Sequence, residues 1–321
     1  MSSLTRYGFC DYLKSEFPSQ IIVENTERCN YACFHCPHQA FEKSGKYSGK
    51  DLDLSLHRKL IDEVASDGAG YCRYVRYAAL GETLLDPRLV EMVDYAGKHS
   101  GVPLNITTNG LLLTEGRARR LLDAGVDTFD ISIDAYHEET YRKIRSRGDL
   151  RKVRANCLKL IEMIKKGGRA AKMVVSFVEQ PLNVNERNKF KEFWETTGAD
   201  FVVIRPMHSA SGSMKETARI MRENAQKRTP CVYPWERLVL TATGFLSYCP
   251  AEWEYKACIA DFKTATIKDV WQGVKMRALR KAHLEGDFSK FPFCKQCPDW
   301  TLTVWPKQGM NYTSMMRDII K

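Results

Sequence analysis

Three cysteines stand close together near the start of the chain and form a set of thiolate ligands. Cys29, Cys33 and Cys36 occupy the run Cys-Asn-Tyr-Ala-Cys-Phe-His-Cys, directly after the apolar, strand-like residues 20–24. Iron–sulfur clusters are normally held by four cysteine thiolates, so a compact set of three indicates a cubane with one iron left open for a small molecule. A structural zinc site that takes its fourth ligand from elsewhere is the alternative.

The spacing of these cysteines resembles the CxxxCxφC signature of the radical S-adenosylmethionine (SAM) superfamily, with His35 at the aromatic position φ. The resemblance implies a [4Fe-4S] cluster whose open iron binds the amino and carboxylate groups of SAM. Reduction of that cluster then cleaves SAM to a 5′-deoxyadenosyl radical. The resemblance also places His35 near the adenine of SAM, whereas its ordinary role would be that of a loop aromatic.

Two further segments resemble positions at which the superfamily contacts SAM. Gly81 and Glu82 follow an apolar run and match part of the Gly-Gly-Glu segment that contacts the SAM amino group, although Leu80 replaces the first glycine. Asn109 follows the next strand-like run and is likewise assigned to cofactor binding. As local sequence, Gly81 suits a turn, and Asn109 with Gly110 is a typical turn pair.

The next two strand-like segments end in polar residues. Residues 128–134 alternate in polarity as a strand does, and they resemble the superfamily's ribose-contacting strand, which assigns Ser132 and Asp134 to the ribose hydroxyls. After the following strand, family members often place a serine and a glutamate three residues apart to contact SAM. This resemblance assigns Ser176 and Glu179 to cofactor binding.

A sixth strand-like run, residues 201–205, leads into the loop where substrate would be met. We assign Arg205 to cofactor binding and His208 to catalysis, as a proton acceptor. A solvated side chain is the ordinary alternative for an arginine or histidine on a loop.

These residues need a scaffold that brings strand ends together. Six segments with helical periodicity lie between the strand-like runs, at residues 52–64, 87–96, 115–122, 138–144, 153–164 and 186–196. Alternation of strands and helices predicts an α/β fold with a parallel sheet and outer helices, and active residues at strand ends are typical of a barrel. Six units predict a partial (β/α)6 TIM barrel, whose lateral opening the superfamily uses for substrate.

Four further cysteines predict a second metal site near the other end of the chain. Cys231 and Cys249 flank a predicted hairpin around Gly244, and Cys294 and Cys297 form a CxxC pair. Spacing alone fits zinc and iron–sulfur about equally. Beside the first motif, however, the pattern resembles the twitch domain, the shortened relative of the SPASM domain, which holds one auxiliary [4Fe-4S] cluster. We therefore predict two [4Fe-4S] clusters.

The length of 321 residues and the two cysteine groups predict two main domains. We expect an N-terminal extension, a radical SAM partial barrel, a linker that contains a helix, a cysteine-rich twitch domain of β-hairpin and helix, and a tail. Their predicted bounds are residues 1–19, 20–210, 211–230, 231–305 and 306–321.

Four of the eleven cysteines belong to neither set. Cys10 is unassigned, and Cys72 and Cys157 are predicted to be small buried apolar side chains. Cys258 lies between the auxiliary-cluster ligands, where we expect it to pack near the cluster and the active-site opening. A thiol there could give a hydrogen atom to a substrate radical, and a core cysteine on a short strand is an equally good interpretation.

The formal net charge is +10, and two clusters would lower it to about +7 because their ligands are thiolates. A positive net charge favours binding of acidic substrates, of a nucleotide-linked sugar or of an acidic flavodoxin- or ferredoxin-type electron donor. The basic residues are dispersed, so we predict no nucleic-acid partner. The sequence has no signal peptide and no apolar run of membrane-spanning length, so we expect no membrane partner and a cytoplasmic location, where thiols stay reduced.

We therefore predict a radical SAM enzyme that abstracts hydrogen from a carbinol C–H of a sugar, aminocyclitol or nucleotide sugar, as the related aminocyclitol dehydrogenases and carbohydrate epimerases do. Oxidation to a ketone would use His208 and the auxiliary cluster, and inversion would use Cys258. The alternative is modification of a ribosomal peptide, which is less favoured because only residues 1–19 precede the first predicted strand. A simple iron–sulfur electron carrier would not need the SAM-site residues.

Overall fold

The computed structural model describes residues 7–167, 170–306, 308–309 and 312–320. The first six residues of the predicted N-terminal extension, and residues 307, 310, 311 and 321 of the predicted tail, lie outside the described residues. None of the described helices is long and apolar enough to cross a membrane.

The strands of the described chain form one large mixed sheet and one small ladder. In chain order they are β1 (Gln20–Val23), β2 (Ala32–Cys33), β3 (Tyr74–Tyr77), β4 (Leu104–Thr108), β5 (Thr128–Ser132), β6 (Arg145–Ser146), β7 (Lys172–Glu179), β8 (Phe201–Pro206), β9 (Arg237–Leu240), β10 (Phe245–Ser247) and β11 (Cys258–Asp261). The large sheet has the order β11-β10-β9-β1-β3-β4-β5-β7-β8, and β2 pairs with β6.

Helices separate most of these strands. They are α1 (His38–Glu42), α2 (Leu54–Ala65), α3 (Leu89–His99), α4 (Glu115–Ala124), α5 (Glu138–Ile144), α6 (Leu150–Lys166), α7 (Arg187–Thr197), α8 (Lys215–Glu223), α9 (Tyr233–Glu236), α10 (Ile267–Gln272), α11 (Val274–Glu285), α12 (Pro292–Gln296) and α13 (Tyr312–Ile320). All six predicted barrel helices are present, and their ends differ from the predicted ones by no more than three residues.

Local chemistry explains where several of these helices begin and end. Asp53 and Asp149 precede α2 and α6, and each carboxylate accepts a hydrogen bond from a backbone N–H of the first helical turn. Gly125 and Gly198 follow α4 and α7 with φ of 112° and 100°, a conformation that glycine adopts without steric cost. After these two helix ends the chain re-enters the sheet as β5 and β8.

Six strands, β1, β3, β4, β5, β7 and β8, are parallel neighbours, which confirms the predicted α/β partial barrel. The carboxyl ends of these strands lie at the same edge of the sheet, which is where the predicted site residues follow them. The predicted hairpin around Gly244 is also present as β9 and β10. Because β9 pairs in parallel with β1, the cysteine-rich unit continues the barrel sheet.

A charged cluster fills part of the sheet's inner face. Asp130 on β5 accepts hydrogen bonds from Arg76 on β3 and Arg205 on β8, at 3.3 and 2.8 Å. Tyr312 of α13 donates a hydrogen bond to the same carboxylate, and the guanidinium of Arg76 lies over the Tyr312 ring. Helix α13 therefore covers this face and supplies a partner for its buried charge.

Candidate active site

The three-cysteine loop lies at the carboxyl edge of the parallel strands. It follows β1, and its Cys33 belongs to β2, where it pairs with Arg145 of β6. Cys29, Cys33 and Cys36 all line one cavity of about 230 Å³. The sequence motif therefore becomes a set of three thiols that face a shared space.

Five of the predicted cofactor-binding residues line the same cavity, and so does the predicted catalytic histidine. The structure thus brings together residues that end or follow five separate strands. They are His35, Gly81, Glu82, Asn109, Ser132 and His208.

Glu82 is buried, and its carboxylate connects the segment after β3 with the end of β4. Its carboxylate accepts hydrogen bonds from the hydroxyl of Thr108 at 2.5 Å, and from the backbone N–H groups of Asn109 and Leu84 at 2.8 and 3.1 Å. Burial raises the pKa of Glu82, while these hydrogen bonds lower it. The side chain therefore positions Asn109 in the cavity wall, besides lining the cavity itself.

Gly81 packs directly on the backbone of the three-cysteine loop. A Cβ atom at this position would lie 2.0 Å from the carbonyl oxygen of Thr26 and 2.9 Å from that of Arg28. The absence of a side chain thus lets the turn before Glu82 approach the cysteine loop.

We expect Gly81→Ala to push these two segments apart, because its clash is with backbone atoms. The variant should lose much of its bound iron and unfold at a lower temperature than the wild type. Gly116→Ala is the matched control, since Gly116 is exposed at the start of α4 with open space around it; that change should stabilise the protein by about 0.5 kcal/mol. Equal iron content and melting temperature in Gly81→Ala and wild type would contradict the expectation.

The predicted role of Asp134 as a ribose ligand needs correction. Strand β5 ends at Ser132, and the Asp134 carboxylate turns away from the cavity into a buried network. It accepts hydrogen bonds from the guanidinium of Arg145 at 2.8 and 2.5 Å and from the Val178 N–H at 2.7 Å. Its side chain is fully buried, so these partners occupy the carboxylate that we had assigned to the ribose.

Ser176, Glu179 and Arg205 also lie outside the cavity, contrary to the prediction of direct cofactor contact. Ser176 donates a hydrogen bond to Asp130, and Glu179 pairs with Arg187 at 3.3 Å near the surface. Arg205 lies within β8, with its guanidinium on Asp130, so its predicted position on a loop is wrong. Ser176 and Arg205 thus bind the buried Asp130 inside the sheet, whereas Glu179 forms an ion pair near the surface.

Arg145 and Tyr31 line the cavity and were missed in the sequence. The ladder between β2 and β6 brings Arg145 beside Cys33, and the Tyr31 hydroxyl lies 3.0 Å from that of Tyr141. Arg145 is a buried cation that faces the thiols, which favours thiolates or a ligand carboxylate. In the sequence, the only indication of Arg145 was its place in a run of charged residues before Gly148. Such runs are common on protein surfaces.

His35 is buried between two polar partners. Its Nδ1 lies 3.3 Å from the side-chain nitrogen of Gln180, and its Nε2 lies 3.4 Å from Asp134. Burial lowers the pKa of His35 to about 4. The ring is therefore neutral and held in one orientation in the cavity wall.

The three thiols suit a ligand that displaces their protons. Burial raises the pKa of Cys29 and Cys33 to about 12 and also raises that of Cys36. Isolated thiols here are protonated at neutral pH, and a metal centre that binds thiolates would have to release those protons. With three thiols, a buried cation and polar groups in one cavity, the residues fit an iron–sulfur cluster that carries a polar ligand.

His208 has the wrong tautomer for the proton acceptor that we predicted. Its Nδ1 accepts a hydrogen bond from the N–H of Ala210 at 3.0 Å, so in the neutral ring the proton sits on Nε2. Burial lowers the pKa of His208, which keeps the ring neutral. His208 therefore presents an N–H donor to the cavity.

The second cysteine group also converges. Cys231, Cys249, Cys294 and Cys297 line one small cavity together with Arg228 and Tyr233. The guanidinium of Arg228 donates hydrogen bonds to the carbonyl oxygens of Cys294 and Lys295 at 2.7 and 3.1 Å. Four thiols with a nearby cation match the donor set of a four-cysteine cluster.

Cys258 lies on a third cavity of about 740 Å³, on the side of the cysteine-rich unit. This cavity shares Ser211, Tyr248 and Phe293 with the four-thiol cavity, and Cys258 does not line the three-thiol cavity. Burial raises the pKa of the Cys258 thiol to about 12. The structure thus places this thiol near the second cysteine group and away from the first.

Two family models match the segments of the chain that contain the two cysteine groups. A model of the radical SAM superfamily matches residues 23–178, and a model of the SPASM iron–sulfur cluster-binding domain matches residues 231–298.

Curated relatives match part of the chain. A "Probable GTP 3′,8-cyclase" of Methanococcus maripaludis is 28% identical over 179 residues, which are 56% of this chain and 56% of the relative. An "AdoMet-dependent heme synthase" of Methanosarcina barkeri is 34% identical over 128 residues, 40% of this chain and 34% of the relative. The chain thus spans about half, or less, of the length of the curated relatives it matches.

Solved structures resemble the chain over nearly its whole length. BtrN in complex with AdoMet and 2-DOIA is 20% identical, has a TM-score of 0.58, and the match covers 87% of this chain and 92% of BtrN. Native anSMEcpe with bound AdoMet is 14% identical with a TM-score of 0.64, and the match covers 94% of this chain and 95% of anSMEcpe. Streptococcus suis SuiB bound to precursor peptide SuiA is 12% identical with a TM-score of 0.64, covering 94% and 73%. At these identities the likeness shows the fold.

Proposed function

Because the chain belongs to the radical SAM superfamily and carries a SPASM-type iron–sulfur domain, we propose that it oxidises a carbinol carbon of a small, sugar-like substrate. Its cofactors are SAM with a SAM-binding [4Fe-4S] cluster, and the SPASM-type domain implies additional iron–sulfur chemistry. A sugar, aminocyclitol or nucleotide sugar is the proposed substrate class, and a flavodoxin- or ferredoxin-type protein is the proposed electron donor. We also propose a cytoplasmic location, since reducing conditions favour these thiols.

We assign the cluster ligands by cavity. Cys29, Cys33 and Cys36 would hold the SAM-binding cluster. The one auxiliary cluster would be held by the four cysteines of the second cavity, Cys231, Cys249, Cys294 and Cys297. The predicted domain division, with a barrel at residues 20–210 and a twitch domain at 231–305, remains our proposal and agrees with the residues that the two family models match.

When bound, SAM and its reduced cluster supply a 5′-deoxyadenosyl radical that removes a hydrogen atom from a substrate C–H. The chain's own residues would bind and orient the reactants around that event. Arg145 would attract a carboxylate, and Asn109 and Ser132 would bond polar groups of SAM. His208 would donate its Nε2–H to the hydroxyl oxygen of the substrate and so orient the reacting carbon. After the hydrogen atom is removed, the substrate would lose one electron toward the four-cysteine site and its hydroxyl proton to water, which leaves the ketone.

The position of Cys258 is our reason for proposing oxidation of the carbinol carbon rather than its inversion. Inversion needs a hydrogen-atom donor on the far face of the substrate, and the Cys258 thiol lines a different cavity from the three cysteines. The four-thiol cavity, in contrast, is connected to the three-thiol cavity along the chain by residues 208–211, because His208 lines the first and Ser211 the second. This arrangement supports electron loss toward the auxiliary cluster rather than hydrogen-atom return from Cys258.

The test compares the wild type with Cys258→Ala after anaerobic reconstitution, with candidate aminocyclitols and nucleotide sugars in deuterated water. We expect both proteins to form 5′-deoxyadenosine and a ketone two hydrogens lighter than the substrate, without deuterium from solvent. Cys10→Ala is the control, because Cys10 is a comparably exposed free thiol outside all three cavities.

A deuterated product of unchanged hydrogen count, formed by wild type and Cys10→Ala but not by Cys258→Ala, would establish inversion and overturn the proposal. Turnover of a peptide and of none of the small alcohols would overturn the substrate class.

A further inference from the structure

Residues 208–212 form a loop that touches both cysteine sites, and we call it the bridging loop. His208 at its start lines the three-thiol cavity, and Ser211 near its end lines the four-thiol cavity. The Ser211 hydroxyl oxygen lies 3.6 Å from the Cys249 sulfur. A polar side chain of the loop therefore contacts one of the four thiols directly.

A buried carboxylate fixes the position of that hydroxyl. Asp299, two residues after Cys297, accepts hydrogen bonds from the N–H and hydroxyl of Ser209 at 2.7 and 2.6 Å. It also accepts one from the Ser211 N–H at 2.7 Å. The loop is thus held by two backbone N–H groups and the Ser209 hydroxyl. These contacts leave the Ser211 hydroxyl to bond the sulfur.

The direction of the contact follows from the chemistry of the ligand. As an isolated thiol, Cys249 could either donate or accept. As a cluster ligand it is a thiolate, which can only accept, so Ser211 must then be the donor.

We propose that Ser211 tunes the auxiliary cluster by donating a hydrogen bond to its Cys249 ligand, and that this bond raises the reduction potential of the cluster. One-electron reduction adds negative charge to the cluster and its sulfur ligands, and a hydrogen bond to a charged acceptor is stronger than one to a less charged acceptor. The reduced state therefore gains more from the bond than the oxidised state does. A raised potential suits the cluster to receive the electron that oxidation of the substrate releases.

This inference rests on the proposed assignment of an auxiliary cluster to the four cysteines, and the experiment separates the two claims. The full-length chain with Cys29, Cys33 and Cys36 all changed to alanine is reconstituted anaerobically, so that only the second site holds iron. Iron content is measured first, and the midpoint potential is then read from an electron paramagnetic resonance titration with dithionite. Ser211→Ala and Ser211→Gly are made in the same background.

We expect about four irons per chain in every variant, with a midpoint shifted to more negative potential in both Ser211 variants. Ser211 has φ of 60°, which glycine adopts more readily than alanine, so agreement between the two variants excludes a backbone effect. Ser213→Ala is the matched control. Its hydroxyl bonds the Ala210 carbonyl and Trp253 and contacts no cysteine, so its midpoint should equal that of the background.

The outcomes distinguish the two claims. Absence of a cluster in the background protein would overturn the auxiliary-site assignment itself. A four-iron cluster whose midpoint is the same with and without the Ser211 hydroxyl would overturn the tuning role alone. A positive shift in both Ser211 variants would also overturn it.

Discussion

Replacing Cys33 by serine is expected to abolish reductive cleavage of SAM while leaving the auxiliary cluster in place. A serine hydroxyl stays protonated at neutral pH and is a poor ligand for iron, so the first cluster would lose one of its three protein ligands. Since Cys33 and its neighbours are the thiols of the first cavity, the second cysteine group should be unaffected. Bound iron should fall from about eight to about four atoms per chain.

The measurement is 5′-deoxyadenosine formed from SAM with dithionite as the reductant, together with iron content. The fold should survive, because Cys33 pairs with Arg145 through backbone atoms that the substitution leaves unchanged. Cys10→Ser is the control and should cleave SAM at the wild-type rate. If Cys33→Ser still forms 5′-deoxyadenosine at a comparable rate, the three-cysteine loop does not hold the radical-generating cluster.

The sequence predicted the features that local spacing encodes. The three cysteines fall within eight residues, so their convergence needs only one loop, and the alternation of strand and helix determines a parallel sheet. Residues directly at a strand's carboxyl end, such as Asn109 and Ser132, line the cavity, and their contact with the cofactor stays a prediction.

Features that depend on tertiary pairing could not be predicted. The alternation along a strand indicates which face of the sheet a residue lies on. It does not indicate that two arginines, from β3 and β8, each separated from β5 by one strand, will converge on Asp130. Asp134 lies two residues beyond the end of β5 with φ of 63°, so the alternation that we extended to it no longer applied. The donor role of His208 depends on one backbone N–H two residues away, which no sequence pattern reveals.

Because it pairs with a buried carboxylate, Arg145 is the residue whose loss should most strongly destabilise the barrel part of the site. Its guanidinium is buried against the fully buried Asp134, with 6% of the residue exposed. Arg145→Met keeps the length of the side chain and removes the cation, which leaves the carboxylate with only the Val178 N–H and the neutral His35 beside it. Breaking one side of a buried ion pair typically costs about 3–5 kcal/mol.

We expect Arg145→Met to unfold at a clearly lower urea concentration than the wild type and to bind SAM more weakly, since the cavity loses its cation. Asp134→Asn in the same chain should restore much of the stability, because it removes the stranded charge and asparagine tolerates positive φ, but it should not restore SAM binding. Arg58→Met is the control, since Arg58 pairs with Glu91 where both side chains are more than half exposed, and such pairs contribute at most about 1 kcal/mol. If Arg145→Met proves as stable as Arg58→Met, the buried pair does not hold this wall of the cavity, and an equal affinity for SAM would remove Arg145 from the binding site.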